Sequence, residues 1–397
     1  MSGLFEMLEA EAAADRFGRG PVPAAPYYDP AWYADEIEAI FKRQWLHIGH
    51  VCEIPEPGSF IRRELNFAAA PLLIVRGKDG EVRTFYNVCT HRGTQLTQDD
   101  SGKRSQFSCP YHMWTYGTDG RLLSAPDFEK FHVAKEDCSL KQVPTQVLGG
   151  LIFIHLGRDP AGSVRDQFGP LADEFDKMPC ASAIATTEIS YEIEANWKVH
   201  YDNFQENYHL RFIHARTGGP AIGPANPMGY PTHYGFSGPH RSQTLWKNPD
   251  PPQLPASMLL SSMRAAGLPQ PFAKDFAKTD FKLFPCLHVV WLSPDTMFTH
   301  THMPVSATRT RSRIRMYWAS ESESASRAFA REFAMMSLRD VLSEDRDAVE
   351  AAQRGIASGV LDTINLQDHE VLLRHSYQQV VARVTEWRAA RARWSHV

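Results

Sequence analysis

The sequence predicts an α+β protein in which a small all-β domain precedes a larger domain of sheet and long helices. Residues 46–156 are short β-rich runs separated by turn signals, which is typical of an all-β domain. Three more β-rich runs fall within residues 281–319, and long helical patterns follow them. At 397 residues the chain is long enough for two hydrophobic cores. We therefore expect an N-terminal segment over 1–45 that packs on the larger domain, a β domain over 46–156 and a mixed domain over 157–397.

Composition and charge exclude several classes of function. The formal net charge of −4 gives no support for binding to nucleic acid or to an anionic membrane surface. No apolar run approaches the 18 residues of a membrane-spanning helix. The first 20 residues contain four acidic side chains and no long apolar segment, so we expect no signal peptide and a cytoplasmic protein. Six thinly spread cysteines do not form a disulfide framework, which leaves metal or redox chemistry for any that cluster.

The N-terminal segment is predicted to contain two helices. The first follows from the apolar pattern of Leu4, Phe5 and Leu8. A proline-rich linker separates it from a second helix over residues 30–45, which Asp29 is placed to cap.

Two short Cys/His pairs are the most specific signal in the chain. Cys89 and His91 form a C-x-H pair, and Cys109 and His112 form a C-x-x-H pair, with 17 residues between His91 and Cys109. Common zinc modules present two Cys before two His, so this alternating order argues against a structural zinc site. One Cys and one His from each of two loops suit a [2Fe–2S] cluster, with both thiolates on one iron and both imidazoles on the other.

The stretch over residues 196–214 is predicted to be a buried helix that carries metal ligands. It has good helix formers, no Pro or Gly, and an apolar stripe. It also contains Glu206, His209 and His214, which are costly to bury without a partner such as a metal. Two His and a carboxylate from elsewhere would form the facial triad of non-haem Fe(II); ordinary core histidines are the alternative. His209 and His214 lie about 140° apart around a straight helix, so a shared metal requires the helix to loosen or end between them.

The remaining segments leave alternatives open. The Pro- and Gly-rich residues 215–275 are expected to be either a substrate lid or a plain surface loop. His300 and His302 share a strand face, and a structural role is favoured because no third ligand is apparent nearby. The alternating Arg309, Arg311, Arg313 and Arg315 predict a basic strand face, either solvated or between subunits, with docking of an acidic electron donor as the lesser alternative.

Helices are predicted over residues 323–356 and 366–389. The first contains three candidates for the missing carboxylate, Glu344, Asp345 and Asp347, and their spacing alone does not choose among them.

Together, these motifs resemble the catalytic subunit of the Rieske non-haem iron ring-hydroxylating oxygenases over nearly the whole chain. The matching segments are the two Cys/His pairs, the stretch from Asn196-Trp197-Lys198 to His214, and Glu344-Asp345 with Gln353-Arg354-Gly355. The resemblance implies a Rieske domain joined to a helix-grip (START-like) catalytic domain with a curved antiparallel sheet. It also implies that the [2Fe–2S] ligands are Cys89, His91, Cys109 and His112, and that the Fe(II) ligands are His209, His214 and Asp345.

The resemblance further places Asn203 close to the iron and Glu206 between the two metal centres. In a ring of three subunits, Glu206 would connect His209 to a cluster ligand of a neighbouring subunit, His112. Many family members that attack aromatic rings have Asp at the position of Glu206, whereas Glu occurs in relatives that oxidise quaternary amines.

We expect a terminal oxygenase that receives electrons from NAD(P)H through a separate reductase, with or without a ferredoxin, because the chain has no G-x-G-x-x-G motif. The expected reaction is mono- or dioxygenation of a small aromatic or apolar substrate with O2. Oxidation or demethylation of a methylated amine, held by cation–π contacts, is the alternative. Two other classes of function are alternatives. A Rieske-type electron carrier would need only residues 46–156, so the rest of the chain argues against it. A zinc-stabilised binding protein would be colourless.

Overall fold

The computed structural model describes residues 4–214, 217, 222–246, 248, 249, 280–293, 295–320 and 324–394. The chain divides into two compact units. One consists of Phe41–Lys177, and the other of Met1–Ile40 together with Met178–Val397.

The N-terminal part contains strand β1 (Glu6–Leu8), helix α1 (Ala10–Phe17), strand β2 (Val22–Pro23) and helix α2 (Pro30–Glu36). The helix predicted from Leu4, Phe5 and Leu8 is wrong, because these residues lead into a strand that pairs with a sheet. The cap on α2 is confirmed, since the Asp29 carboxylate accepts a hydrogen bond from the backbone N–H of Ala31 at 2.8 Å. The regular helix ends nine residues earlier than predicted and gives way to a π-helical turn over Ile37–Phe41.

The unit Phe41–Lys177 is built from short antiparallel strands, as predicted. These are β3 (Leu46–His50), β4 (Ser59–Leu65), β5 (Ala70–Arg76), β6 (Val82–Tyr86), β7 (Ser101–Lys103), β8 (Gln106–Ser108), β9 (Thr115–Gly117), β10 (Leu122–Ser124), β11 (Gln142–Val143), β12 (Thr145–Leu148) and β13 (Leu151–Ile154). They form a five-stranded sheet in the order β11-β6-β5-β4-β7 and two three-stranded sheets, β10-β9-β8 and β12-β13-β3. Its core contains Phe60, Phe85, Trp114 and, as full members, Cys89 and Cys109.

Two short helices, α3 (Val164–Phe168) and α4 (Ala172–Phe175), end this unit. Gly169 and Pro170 separate the two helices. Gly169 has a φ of 55°, in the left-handed region, and proline has no N–H to continue the helical bonding.

The other unit contains one large antiparallel sheet and the long helices. Its further strands are β14 (Ala185–Ile193), β15 (His233–Ser237), β16 (His240–Thr244), β17 (Asp280–Leu283), β18 (Leu287–Ser293), β19 (Thr296–Ser306), β20 (Arg309–Trp318) and β21 (Thr363–Ile364). Its helices are α5 (Trp197–Asp202), α6 (Leu210–Ile213), α7 (Ala325–Ala357) and α8 (Val371–Trp394). Within the described ranges, eight strands form the order β1-β15-β16-β17-β18-β19-β20-β14, and β2 pairs with β21.

The long helices cover this sheet and the N-terminal elements through apolar contacts. Met335 of α7 packs with Met316 and Trp318 of β20. Further along α7, Val349 packs with Ile193 and Val199. Helix α7 thus packs in two apolar clusters, and the second of these holds it against the segment that follows β14.

The arginines of the basic strand face pair with two glutamates of the neighbouring strand. Glu192 of β14 lies 2.7 Å from the Arg311 guanidinium, and Glu188 pairs with Arg313 at 3.3 Å and with Arg315. The antiparallel register places these glutamates directly opposite the arginines. The sequence predicted the basic face but not its acidic partners, because these lie on the facing strand.

The predicted lid or surface loop over 215–275 lies largely outside the described residues. Its described part forms β15 and β16. No helix in the described part of the chain has the length and apolar character needed to cross a membrane.

Candidate metal centres

Two loops with the same backbone geometry present the Cys/His pairs. In the first, the Cys89 N–H donates to the Thr94 carbonyl at 2.8 Å, and the Gly93 N–H donates to the Cys89 carbonyl at 3.0 Å. In the second, Cys109 and Met113 make the equivalent bonds, at 2.8 Å to the Trp114 carbonyl and at 3.0 Å. Gly93 (φ 78°) and Met113 (φ 60°) both adopt the left-handed conformation that closes each turn.

The four side chains separate by type. Cys89 and Cys109 are buried in the core, 2% and 1% exposed. The rings of His91 and His112 lie 4.5 Å apart, and His91 stacks on Trp114 at 4.9 Å. The buried Nδ1 of His91 has no hydrogen-bond partner among the described residues. A thiol pair and an imidazole pair fit a two-iron cluster, in which each iron takes one pair, better than a single ion.

The thiols need a metal to become ligands. Burial raises the pKa of Cys89, and a hydrogen bond from the Tyr116 hydroxyl, 3.2 Å from Sγ, only opposes this. A buried thiol that stays protonated is unreactive, whereas metal coordination favours the thiolate. The site is therefore suited to hold a metal cluster rather than to act as a nucleophile.

The predicted single helix over 196–214 is wrong, because α5 ends at Asp202 and α6 begins at Leu210. Buried amide side chains hold the intervening turn. Gln205 accepts a hydrogen bond from Arg241 at 2.7 Å, and Asn207 donates to the Gly229 carbonyl at 2.8 Å. These bonds to distant segments favour the non-helical path, and the break satisfies the condition for His209 and His214 to face one ion.

Three side chains converge beyond this break. Oδ1 of Asp345, on α7, lies 2.9 Å from Nε2 of His214 and 3.6 Å from Nε2 of His209. One ligand atom from each residue lies within 4.8 Å of the others. Asp345 is buried, yet its Oδ1 accepts no well-directed hydrogen bond from the described residues. Two imidazole nitrogens and one carboxylate oxygen that meet at one point are the ligand set of a facial triad, which fits a metal ion between them.

A glutamate side chain contacts the outer ring nitrogen, Nδ1, of each histidine ligand. Glu206 contacts Nδ1 of His209, and Glu344 lies 2.8 Å from Nδ1 of His214. Burial alone would lower the pKa of His214, but Asp345 and Glu344 together raise it. Carboxylates in this position fix the ring so that Nε2 faces the metal. Of the three candidate acids, Asp345 is at the centre, Glu344 supports a histidine, and Asp347 is exposed.

Comparison with known families identifies the two units. The model of the ring-hydroxylating alpha subunit catalytic domain matches residues 183–386, slightly more than half of the chain. The chain belongs to the ring-hydroxylating alpha-subunit family. The Rieske [2Fe-2S] domain model matches residues 44–144. These domains imply a [2Fe–2S] cluster and a mononuclear iron site in this alpha subunit, as the motifs predicted.

Individual relatives of this alpha subunit are oxygenase subunits. The glycine betaine monooxygenase oxygenase subunit of Pseudomonas aeruginosa UCBPP-PA14 is 34% identical over 193 residues, which cover 49% of this chain and 44% of that protein. The match thus spans less than half the length of that relative. The carnitine monooxygenase oxygenase subunit of Acinetobacter pittii PHEA-2 is 28% identical over 353 residues, 85% of each chain. A solved quaternary ammonium Rieske monooxygenase has a TM-score of 0.76 at 23% identity, covering 96% of this chain and 99% of that one, which confirms the predicted fold.

Other predicted site residues of the alpha subunit lie in varied surroundings. Asn203 follows α5, and its buried Nδ2 has no hydrogen-bond partner among the described residues. Among the apolar residues of this unit, Phe204 packs on His300, Phe298 packs on His288 and Trp291 is 9% exposed. Phe212, by contrast, is 66% exposed.

One residue was missed in the sequence. His200 of α5 lies beside His300 and His302, and the three form a second group able to hold a metal. The expectation that no third ligand lies near the two strand histidines is therefore wrong. Only their spacing within β19 was readable, because His200 is about 100 residues away in the chain.

Proposed function

We propose that this alpha subunit is the terminal oxygenase of a multicomponent system that hydroxylates a methylated quaternary amine. The observation that carries the proposal is the convergence of His209, His214 and Asp345 with an unbonded Asp345 oxygen at the centre. A facial set of two imidazoles and one carboxylate leaves coordination positions open, as oxygen chemistry requires.

The geometry supports an assignment of the metal ligands. In this proposal Cys89 and Cys109 hold one iron of the cluster, His91 and His112 hold the other, and the triad holds Fe(II). When bound, the cluster supplies electrons and the mononuclear iron supplies the dioxygen chemistry. The part of the chain is to orient these groups.

Glu206 and Glu344 give that orientation. Each accepts the Nδ1–H of its histidine, which leaves the Nε2 lone pair for the metal. Asn203 presents an unbonded amide N–H₂ close to this turn, where it can donate a hydrogen bond to a group at the iron.

The overall reaction must balance electrons and atoms. A substrate C–H bond breaks and a C–O bond forms with one oxygen atom of O2. The other oxygen atom becomes water, with two electrons from NAD(P)H and two protons. If the oxidised carbon is an N-methyl group, the hydroxymethyl product releases formaldehyde and leaves the demethylated amine.

The substrate class rests on relatives. The carnitine monooxygenase subunit aligns over 85% of both chains, and the glycine betaine monooxygenase subunit aligns over half of this one. Glu206 supports the same substrate class, because Glu at this position resembles the family's amine-oxidising members, whereas many aromatic-ring oxygenases have Asp. An aromatic or apolar substrate, the first expectation from the sequence, is the second candidate, and the ring-hydroxylating description of the family model favours it.

The assembly is part of the proposal. Electrons arrive from NAD(P)H through a separate reductase, with or without a ferredoxin, in the cytoplasm. Three copies form a ring in which Glu206 connects His209 to His112 of a neighbouring subunit. In support, His112 is only half-buried and its neighbour Tyr111 is 54% exposed. The solved quaternary ammonium relative is likewise described with inter-subunit electron transfer.

The test is substrate-dependent consumption of NADH and O2 by the purified protein with a Rieske reductase. The panel includes glycine betaine, carnitine, biphenyl and naphthalene, and formaldehyde is measured with each amine. We expect coupled consumption and formaldehyde with a quaternary amine and none with the Asp345→Ala variant. Turnover of the aromatic compounds alone would select the second candidate, and consumption that no substrate stimulates would reject the proposal.

A further inference from the structure

Three histidines that are not among the iron ligands named above meet in the interior of the catalytic unit. His200 lies on α5, and His300 and His302 lie on β19, with exposures of 1%, 1% and 0%. The ring centroids of His200 and His302 are 4.7 Å apart, and those of His300 and His302 are 3.9 Å apart. One nitrogen from each lies within 4.8 Å of the others, the same criterion that the iron triad meets.

Two of the three histidines have a hydrogen-bond partner on the outer ring nitrogen, as metal-bound histidines do. Nε2 of His200 lies 3.2 Å from the Tyr191 hydroxyl, and Nε2 of His300 lies 2.6 Å from the Ser312 hydroxyl. The inner Nδ1 atoms of His200 and His302 face each other at 3.0 Å. Metal-bound histidines usually donate their other ring N–H to such an outer partner. At the iron triad Nδ1 is supported and Nε2 faces inward; here the two nitrogens exchange roles.

All three rings are held neutral. Burial lowers the pKa of His200 to about 3, and burial with the neighbouring cations lowers the pKa of His300 and His302 well below its usual value. Neutral imidazole is the form that binds metal ions, so no proton has to leave first.

The surroundings tolerate a cation. The nearest positive charge, on Lys282, is paired with Asp280, whose Oδ1 also lies 2.7 Å from Nε2 of His288. Phe204 covers the cluster with its ring 4.6 Å from that of His300 and 5.4 Å from that of His200. The buried rings therefore lie beside an ion pair, whose carboxylate offsets the charge of Lys282.

A metal-free hydrogen-bonded cluster explains these contacts less well. One proton shared between the two Nδ1 atoms accounts for the contact of His200 with His302, but not for the approach of the His300 ring to 3.9 Å from that of His302. An ion bound to the three rings would account for both contacts.

We propose that His200, His300 and His302 form a second metal site, which takes a borderline divalent ion of the Zn²⁺ class. Imidazole suits Zn²⁺, and three protein nitrogens with one open position are a known zinc ligand count. The ion joins α5 to β19 and thereby anchors the helix that precedes the iron-binding turn. Binding only to the folded state raises the stability of this unit.

The test requires the iron site to be disabled, so the background is the double variant His209→Ala/Asp345→Ala. The purified protein is incubated with ZnSO₄, desalted into metal-free buffer, and assayed for zinc and iron by mass spectrometry. We expect about one zinc per chain, with the two cluster irons retained. Crystals of the same protein should show anomalous density at the zinc edge between the three rings.

Adding His302→Phe to this background should abolish zinc retention and the rise in Tm that zinc produces. His375→Phe is the matched control, because His375 is equally buried but packs on Phe17 and Phe236 outside the cluster. Absence of retained zinc, or zinc retained by the His302→Phe protein, overturns the proposal. If that variant does not fold, the position of the anomalous peak in the unmodified cluster decides.

Discussion

The Gln353 side-chain carbonyl accepts a hydrogen bond from the backbone N–H of Asn196 at 2.7 Å, and both residues are buried. Asn196 caps α5, which leads into the turn with His209, whereas Gln353 is two turns beyond Asp345 on α7. The bond therefore fixes the helix that supplies the carboxylate to the segment that supplies the histidines. About 12 Å of rigid helix separates Gln353 from Asp345.

Replacing Gln353 with Leu should loosen this connection. The buried Asn196 N–H would lose its acceptor, which we expect to cost about 1–3 kcal/mol in the free energy of unfolding. The mononuclear iron should also be lost more readily to a chelator. Urea unfolding and iron analysis measure both effects. Gln378→Leu, which removes an exposed bond to the Phe17 carbonyl, should change neither, and an unchanged iron content in Gln353→Leu would refute the positioning role.

The cluster assignment predicts that Cys109→Ser removes the red-brown colour and the EPR signal of the reduced protein. A serine hydroxyl is a poor substitute for the thiolate that the cluster requires. The matched control is Cys138→Ser, because Cys138 lies in the same core but not in either loop. The assignment is wrong if Cys109→Ser keeps the spectrum, or if Cys138→Ser loses it while the protein stays folded.

Asp345→Ala should lose the third iron per chain and leave the cluster spectrum intact. The reason is that, among the described residues, Asp345 supplies the carboxylate oxygen that meets both imidazoles. Asp347→Ala should keep three irons, since Asp347 is exposed on the same helix. Iron analysis with visible spectroscopy distinguishes the two sites, and loss of iron from Asp347→Ala instead would move the ligand.

The two outer glutamates allow a matched test of electron transfer. Glu206→Gln removes the charge but keeps the size, and we expect near-normal iron content with cluster reoxidation slowed 10–100-fold. The measurement is a single turnover from the prereduced cluster with substrate and O2. Glu344→Gln changes the equivalent position on His214, so it should keep a similar iron content without slowing reoxidation. Equal reoxidation rates in wild type and Glu206→Gln would show that Glu206 does not connect the centres.

Local patterns were readable from the sequence, and distant pairings were not. The Cys/His loops, the strands of the β unit and helix α7 follow from spacing and propensity within short segments. The break after Asp202 does not, because good helix formers fill it and the buried bonds of Gln205 and Asn207 go to distant segments. For the same reason the sequence did not predict the contact of His200 with His302. It also did not predict the pairing of the β14 glutamates with the β20 arginines. Cross-strand register decides the contacts between β14 and β20, and the packing of helix α5 on β19 decides the contact of His200 with His302.

The two buried cysteines have a consequence for how the protein matures in the cell. Cys89 and Cys109 are part of the same core as Phe60 and Trp114, so the inorganic cluster must arrive before that core closes. Iron and sulfide supply during synthesis should therefore limit the yield of cluster-loaded subunit. A chain refolded in air without them would close around two empty thiols and would be unable to accept electrons.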